Sequence, residues 1–455
     1  MIVRLFASGA AFCAVAIFAA PSAAPAAPAP LDLRAAVRFA LDHDPAVLNR
    51  RAVLASNEST YAREHAAEFP TLAGTLQNQV SKSHNASGGS LSQFGLQPPQ
   101  VFSQNVAQIG STYNLYNGSL AQIQAQSAKR QVESSREDLR RAEQQLATDV
   151  AAAFYGAVQQ REAARLAASD EAYQEQLLAV ARAQERVGRA AGVDVLRAQV
   201  NELRSEATLT SARANQVNAV ESLAQRIGAP PDTPFALPDV LPEPPLPQTP
   251  VEALVASALA ARADIASARF QIAVARLADA AIESDRRPQL QLTGAFGNTE
   301  SPASAFSAGS PQRPGFWQIG ATETLTIPFI EYGARRAAHR AARAQLTAAE
   351  GTLASVESLV ATDVRQALRA VQTASANLAT QREAQRYGAE SARIAQLQYR
   401  NGLISLTDAT AAEQSALSAA NDLVAARVAY LNALARLRAS VGVADPLAVV
   451  EPGAP

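Results

Sequence analysis

Two long stretches of this chain, residues 100–229 and 330–445, contain no proline, and they repeat each other's phrases 214 positions apart. Ala147-Thr148-Asp149-Val150 returns as Ala361-Thr362-Asp363-Val364, Gly188 as Gly402, Asp194 as Asp408 and Gly228 as Gly442. Ahead of each stretch, residues 31–70 and 249–288 align without a gap at an offset of 218, matching Leu41 to Leu259, Val47 to Ile265, Arg51 to Arg269 and Pro70 to Pro288. A chain written twice is expected to fold as two like units.

The proline-free stretches read as helix, since nothing in them removes a backbone donor. Much of the 48% apolar content is alanine, with only 5% aromatic residues, which favours helices packed closely through small side chains. Leu166, Tyr173, Leu177, Val180 and Val187 follow coiled-coil spacing, as do Leu346, Leu353, Val356, Val360 and Val364. Gly188 and Gly402 each stop a helix, and Asp194 and Asp408, six residues later, open a returning one. Ser119 to Arg186 would then run roughly 100 Å, and Val193 to Ile227 roughly half of that. Residues 31–70 and 249–288 read as single helices of about 37 residues, each ended by proline. Nine prolines between Ala229 and Pro250 make an irregular strap joining the copies.

After Pro70 and Pro288 the period changes to two. Leu72, Gly74, Leu76 and Val80 alternate with Thr71, Ala73, Thr75, Gln77 and Gln79, and Leu290, Leu292 and Phe296 alternate with Gln289, Gln291 and Thr293. Polar loops, His84 to Gly95 and Glu300 to Gly315, lead to second strands at about Ser103 to Tyr116 and Phe316 to Phe329. Glu323 falls on the apolar parity. Strands of about 11 residues span roughly 36 Å, enough to cross an outer membrane at barrel tilt. Four strands cannot close in lipid, whereas three chains would supply twelve.

Arg4, an apolar run from Leu5 to Ala20 and the small-residue stretch to Pro30 have the order of a secretory leader, with cleavage expected near Ala26. Cys13, the single cysteine, lies inside that leader, so the exported chain would have no thiol for a disulfide, a metal or a lipid anchor. With a formal net charge of -1 there is no electrostatic case for nucleic acid. His43, His65, His84 and His339 are scattered and read as surface histidines, with no metal-ligand spacing. No phosphate loop or nucleophile elbow is present, so neither cofactor nor catalysis is expected. The domain reading is a leader at 1–26, a first repeat at 27–230, the strap at 231–250, a second repeat at 251–445 and a tail at 446–455. Two functions fit this plan. One is an export duct and the other a soluble periplasmic coiled-coil adaptor, which would have no reason to repeat a lipid-sized alternating strand pair.

The tandem repeat, the order helix, strand, strand, helix, helix, the phrase from Tyr399-Arg400-Asn401-Gly402 to Asp408-Ala409 and the segment from Tyr430 to Gly442 resemble the TolC-like outer-membrane efflux protein family. The resemblance covers essentially the whole mature length. It implies a mainly α tandem-repeat protomer of a trimeric channel-tunnel, with a 12-stranded transmembrane β-barrel and a long periplasmic α-helical barrel closed at the hairpin tips. Its implied partners are a periplasmic adaptor, an inner-membrane pump of RND, ABC or MFS type, and outer-membrane lipid. The family's valine-glycine-leucine docking theme is matched in halves. The first tip has Val187 and Gly188 but Arg189 for leucine, and the second has Gly402 and Leu403 but Asn401 for valine, with Ser405 close by. The family latch, a tyrosine bonding to the first-copy aspartate, maps to Tyr399 and Asp194. Its assisting arginine falls on Ile404, which leaves Arg189 or Arg197 to take that part. One of the two acidic constriction rings maps to Asp408, and the other falls on Ala411.

Overall fold

The computed structural model describes residues 32–83, 100–188, 191–300, 316–329, 332–443, 445 and 447–448. The expected leader, nearly all of both polar loops, Arg189 and most of the tail lie outside the described residues.

Each repeat opens with two helices where the sequence suggests one. In the first, α1 (Leu33–His43) and α2 (Pro45–Ala66) meet at Asp44. Pro45 disfavours helical backbone at the residue before it, and Asp44 takes φ -67 and ψ 126. The Asp44 carboxylate then caps α2, accepting the N–H groups of Ala46 and Val47 at 2.8 and 3.1 Å. The second repeat breaks at the matching place without a proline.

There α5 (Val251–Ala261) and α6 (Ala263–Ser284) meet at Arg262, with φ -68 and ψ 133. Its guanidinium forks onto Asp264, with Nε to Oδ1 at 3.0 Å and a second nitrogen to Oδ2 at 2.6 Å. It also reaches Asp363 Oδ2 at 3.3 Å and the carbonyl of Ser440 at 3.4 Å. In the first repeat the matching Asp149 pairs with Arg226 instead, and the repeat counterpart of Arg226 is Ser440. The neutralising arginine has therefore moved from the returning helix to the break.

The four strands are β1 (Thr71–Ser83), β2 (Gln100–Asn117), β3 (Gln289–Glu300) and β4 (Phe316–Thr326), antiparallel in the order 1-2-3-4. Pro328 lies just beyond β4, and the strand stops three residues short of Phe329. The register puts Thr71, Thr112, Thr293 and Thr322 in one row on one face. Gly74, Ile109, Phe296 and Ile319 form a row on the other. A bulge at Asn114/Tyr116 sets Tyr116 opposite Leu290. Glu323 pairs with Leu292 on the apolar face. That face is bare: Leu76 is 90% exposed and Ile319 84%.

The rest is a pair of long hairpins. They comprise α3 (Leu120–Arg186) with α4 (Gly192–Ile227), and α7 (Ala334–Arg400) with α8 (Leu406–Val441). Helices of 67 residues run roughly 100 Å. Their apolar contacts form separate clusters along the bundle. One holds Val37, Val150, Phe154 and Ile227, another Val371, Leu378, Leu423 and Tyr430, and a third gathers at the hairpin tips. The strap is tied across the bundle. Arg161 donates to the carbonyls of Leu237 and Pro238 at 2.8 Å each, the Tyr430 hydroxyl donates to Pro244 O at 2.7 Å, and Glu243 pairs with Arg427 at 2.8 Å and with Arg382.

The two copies are not equally covered. α3 packs against α1, α2, α4, α6 and α8, whereas the main contacts of α7 are with α5, α6 and α8. As a result α3 buries 22 residues and α7, of the same length, only nine.

Candidate functional site at the hairpin tips

Each long helix ends on a left-handed glycine. At the second tip Gly402 has φ 74, its N–H donates to Tyr399 O at 2.9 Å, and the Leu403 N–H donates to Gln398 O at 2.9 Å. This pair of bonds is a Schellman stop, which satisfies the last carbonyls and needs a residue free of Cβ strain. At the first tip Gly188, φ 72, donates to Glu185 O at 2.9 Å. The stops leave Val187, 68% exposed, and Leu403, 73% exposed, as apolar side chains at the two ends, with Asn401 exposed beside Leu403.

Ser405 and Asp408 form the start of α8. Ser405 Oγ accepts the Asp408 N–H at 3.2 Å and donates to Asp408 Oδ2 at 2.7 Å, a reciprocal cap. Asp408 is exposed while its neighbour Ala409 is buried in the tip cluster, so its carboxylate faces away from the core. Asp194 stands in the first turn of α4 and pairs with Arg197 at 3.9 Å. Arg197 is one of the two arginines that the family resemblance offers in place of the arginine absent at 404.

Tyr399 is 4% exposed, packed with Tyr173, Leu177, Leu178, Ala181, Ala198 and Leu406. Among the described residues its hydroxyl is buried with no hydrogen-bond partner, and the Tyr173 hydroxyl is in the same condition. Burial, and then the nearby Asp194 carboxylate, raise the Tyr399 pKa. The structure thus brings Tyr399 and Asp194 into one neighbourhood without the bond between them.

The joint between the hairpins includes residues that sequence reasoning missed. Gln184 of α3 donates to the Tyr399 carbonyl at 3.1 Å, and Arg400 of α7 donates to Gln176 Oε1 at 3.5 Å. A groove of about 460 Å³ above it is lined by Tyr173, Gln176, Arg393, Gln396 and Glu413. Burial, with a smaller push from Asp170, raises the Glu413 pKa. Burial and then Glu413 push Tyr173 up to about 12, against the opposing charge of Arg400. Tyr173 is legible as a seam residue from its spacing, but nothing local marks Glu413, whose environment comes from a helix over two hundred residues away.

Among the described residues no group of His, Cys, Asp and Glu has the geometry of a metal site. His339 is not the surface histidine its sequence suggests. Its Nδ1 lies 2.7 Å from Asp279 Oδ1 and its Nε2 3.4 Å from Glu283 Oε2, in the α6–α7 seam.

The profile of the family described as outer membrane efflux protein matches residues 36–229 and 254–443, one span per repeat. Protein CyaE of Bordetella pertussis is 26% identical over 353 residues, 74% of this chain and 69% of that protein. Outer membrane efflux protein BepC of Brucella suis is 26% identical over 373 residues, 79% of this chain and 77% of that protein. Among solved structures, the outer-membrane channel OprN superposes with a TM-score of 0.72 at 19% identity, over 90% of this chain and 89% of that one. The Campylobacter jejuni CmeC outer membrane channel gives 0.73 at 16% identity, over 90% and 85%.

Proposed function

The chain belongs to the outer membrane efflux protein family, and on that footing we propose that three copies form a passive exit duct whose periplasmic tips are opened by an adaptor and an inner-membrane pump. The observation that carries this is the unequal covering of the repeats. One chain is an open wall segment with two unlike flanks, which close only as a ring. Repeat equivalence says how: the contact of α3 with α8 inside the chain becomes α7 against α4 of the next copy. The flanks suit this. On α4, Val193, Leu196, Val200 and Leu203 are exposed at heptad spacing, and on α7 so are Tyr387, Ile394 and Leu397. Tyr387 is the repeat counterpart of Tyr173, which fills this place in the internal seam.

The strap marks the outer side of the wall. Arg427, which holds strap residue Glu243, and Arg436 are nine residues apart and so project to opposite sides of α8. Arg436 lines a groove of about 1150 Å³ with Arg141, Gln145, Asp149, Arg262 and Asp363, a polar surface suited to a water-filled lumen.

At the tips, three copies of Asp408 would concentrate cations in a narrow lumen. The unpartnered Tyr399 hydroxyl beside Asp194 would complete the latch once the tips draw together. Val187, Gly188, Arg189, Asn401, Gly402, Leu403 and Ser405 would form the adaptor-docking ends, with apolar Val187 and Leu403 foremost. The pump would be of RND, ABC or MFS type, and the barrel would hold the protein in the outer membrane without a lipid anchor. In planar bilayers the protein should form cation-preferring channels. Tyr399→Phe combined with Asp408→Ala should raise conductance and reduce that preference, and unchanged values in both would remove these residues from the constriction.

A further inference from the structure

The first turns of α7 carry a basic stripe that neither the helix nor its neighbours require. Arg336, Arg340 and Arg343 fall within an arc of about 60° and are all exposed. No carboxylate lies within salt-bridge distance of them among the described residues; Arg340 Nε only reaches back to Arg336 O at 3.4 Å. Residues 335–343 contain four arginines and a histidine, and no acidic residue follows until Glu350.

The first repeat shows that the fold does not need this charge. The counterparts of Arg336, Arg340 and Arg343 in α3 are Gln122, Gln126 and Lys129, and α3 forms a helix of the same 67 residues. The stripe is also not placed to meet the next copy. In the first repeat Gln131 and Ser134 make the hydrogen bonds from α3 to α6, and their α7 counterparts, Gln345 and Ala348, lie roughly 140° round the helix from the stripe. Arg340 instead lies six heptads above Arg382, which holds strap residue Glu243, so the stripe is on the strap face.

Its height is informative too. Phe329, 87% exposed, continues the apolar parity of β4, and α7 starts five residues later. On a 1.5 Å rise, Arg336 stands about 3 Å below the start of α7, Arg340 about 9 Å and Arg343 about 14 Å. The headgroup layer is about 5–8 Å deep on each side of the hydrocarbon. The backbone of Arg336 therefore lies within it, that of Arg340 at its lower edge and that of Arg343 below it, where only the extended side chain reaches back. Side chains on a helix lean toward its N-terminus, which here is the membrane end. Resting on the barrel reading above, we infer that Arg336, Arg340 and Arg343 bind the phosphates of anionic phospholipid headgroups in the periplasmic leaflet of the outer membrane. Each arginine supplies a charge-assisted donor fork to phosphate, at the edge of an apolar surface already in contact with the acyl chains.

The test is native mass spectrometry of the purified full chain taken from vesicles of phosphatidylcholine alone or mixed with phosphatidylglycerol. Wild-type trimer should retain phosphatidylglycerol in preference, by roughly fivefold per arginine. Arg336→Gln/Arg340→Gln/Arg343→Gln should lose that preference while remaining trimeric, and the triple lysine variant should keep most of it. An unchanged preference in the glutamine variant overturns the inference. So does displacement of the lipid by inorganic phosphate, which would mark a free-anion site, or loss of the trimer, which would assign the arginines to the contact between copies. If neither protein inserts into either vesicle, the barrel reading itself fails and takes this inference with it.

Discussion

Arg262 shows how much one side chain can settle. Asp264 is 8% exposed and Arg262 is its ion partner, so Arg262→Ala leaves a buried carboxylate without its counter-charge, holding only the Ile265 N–H. The expected cost is about 3–5 kcal/mol, measured by denaturant unfolding, and Arg262→Ala/Asp264→Ala should recover part of it because no charge remains to be buried. Glu413 is the second such residue. In the observed arrangement its pKa lies above the ordinary 4.5, so the proton is bound more tightly with the α3–α8 seam packed than with Glu413 in water. The linkage therefore favours the packed seam fully below pH 4.5 and loses that support as pH rises through the raised value. The groups facing Glu413 are Asp170 and Tyr173 on α3 and Arg393 on α7, with Arg400 acting on Tyr173. Channel opening in bilayers should accordingly increase from acid toward neutral pH, and Glu413→Gln should flatten that dependence.

At the scale of elements, the helix breaks separate what sequence can and cannot disclose. Pro45 is a visible stop, and a helix drawn through it ignores the restriction proline places on Asp44. Arg262 gives no such sign, because its non-helical backbone is fixed by Asp264, Asp363 and Ser440, of which two are distant in sequence. The glycine stops were legible because their cause is local, and so were the strands, whose period of two reports directly on the apolar and threonine-rich faces. The proposed latch was legible only as residue identities: Tyr399 and Asp194 share one neighbourhood, but the Tyr399 hydroxyl has no hydrogen-bond partner among the described residues. Asp44→Ala should cost about 1 kcal/mol by loss of the cap, and Pro45 should still keep α1 and α2 distinct. Amide exchange localised to the first turn of α2 would show it.

For the whole molecule, the decisive fact is that a single chain leaves its work unfinished on both flanks. Leu196→Glu combined with Leu203→Glu would put charge in the seam proposed to meet the next copy without touching the protomer's own tip cluster. The variant should keep its helical content and lose the trimer, as read by circular dichroism and by mass measurement in detergent. The helices pack both within their hairpins and across the repeats, α3 against α6 and α8, so the helical half has a covered core in one chain. The sheet is different, for it has bare faces on both sides and unpaired edges at β1 and β4. In the proposed trimer its strands would gain a covered face and a paired edge only from two more chains and a bilayer. The proposed assembly would therefore have a fixed direction. The helical half would mature in water and the strands would become stable last, on assembly and insertion, so the edges that invite aggregation would be exposed only for as long as that step is delayed.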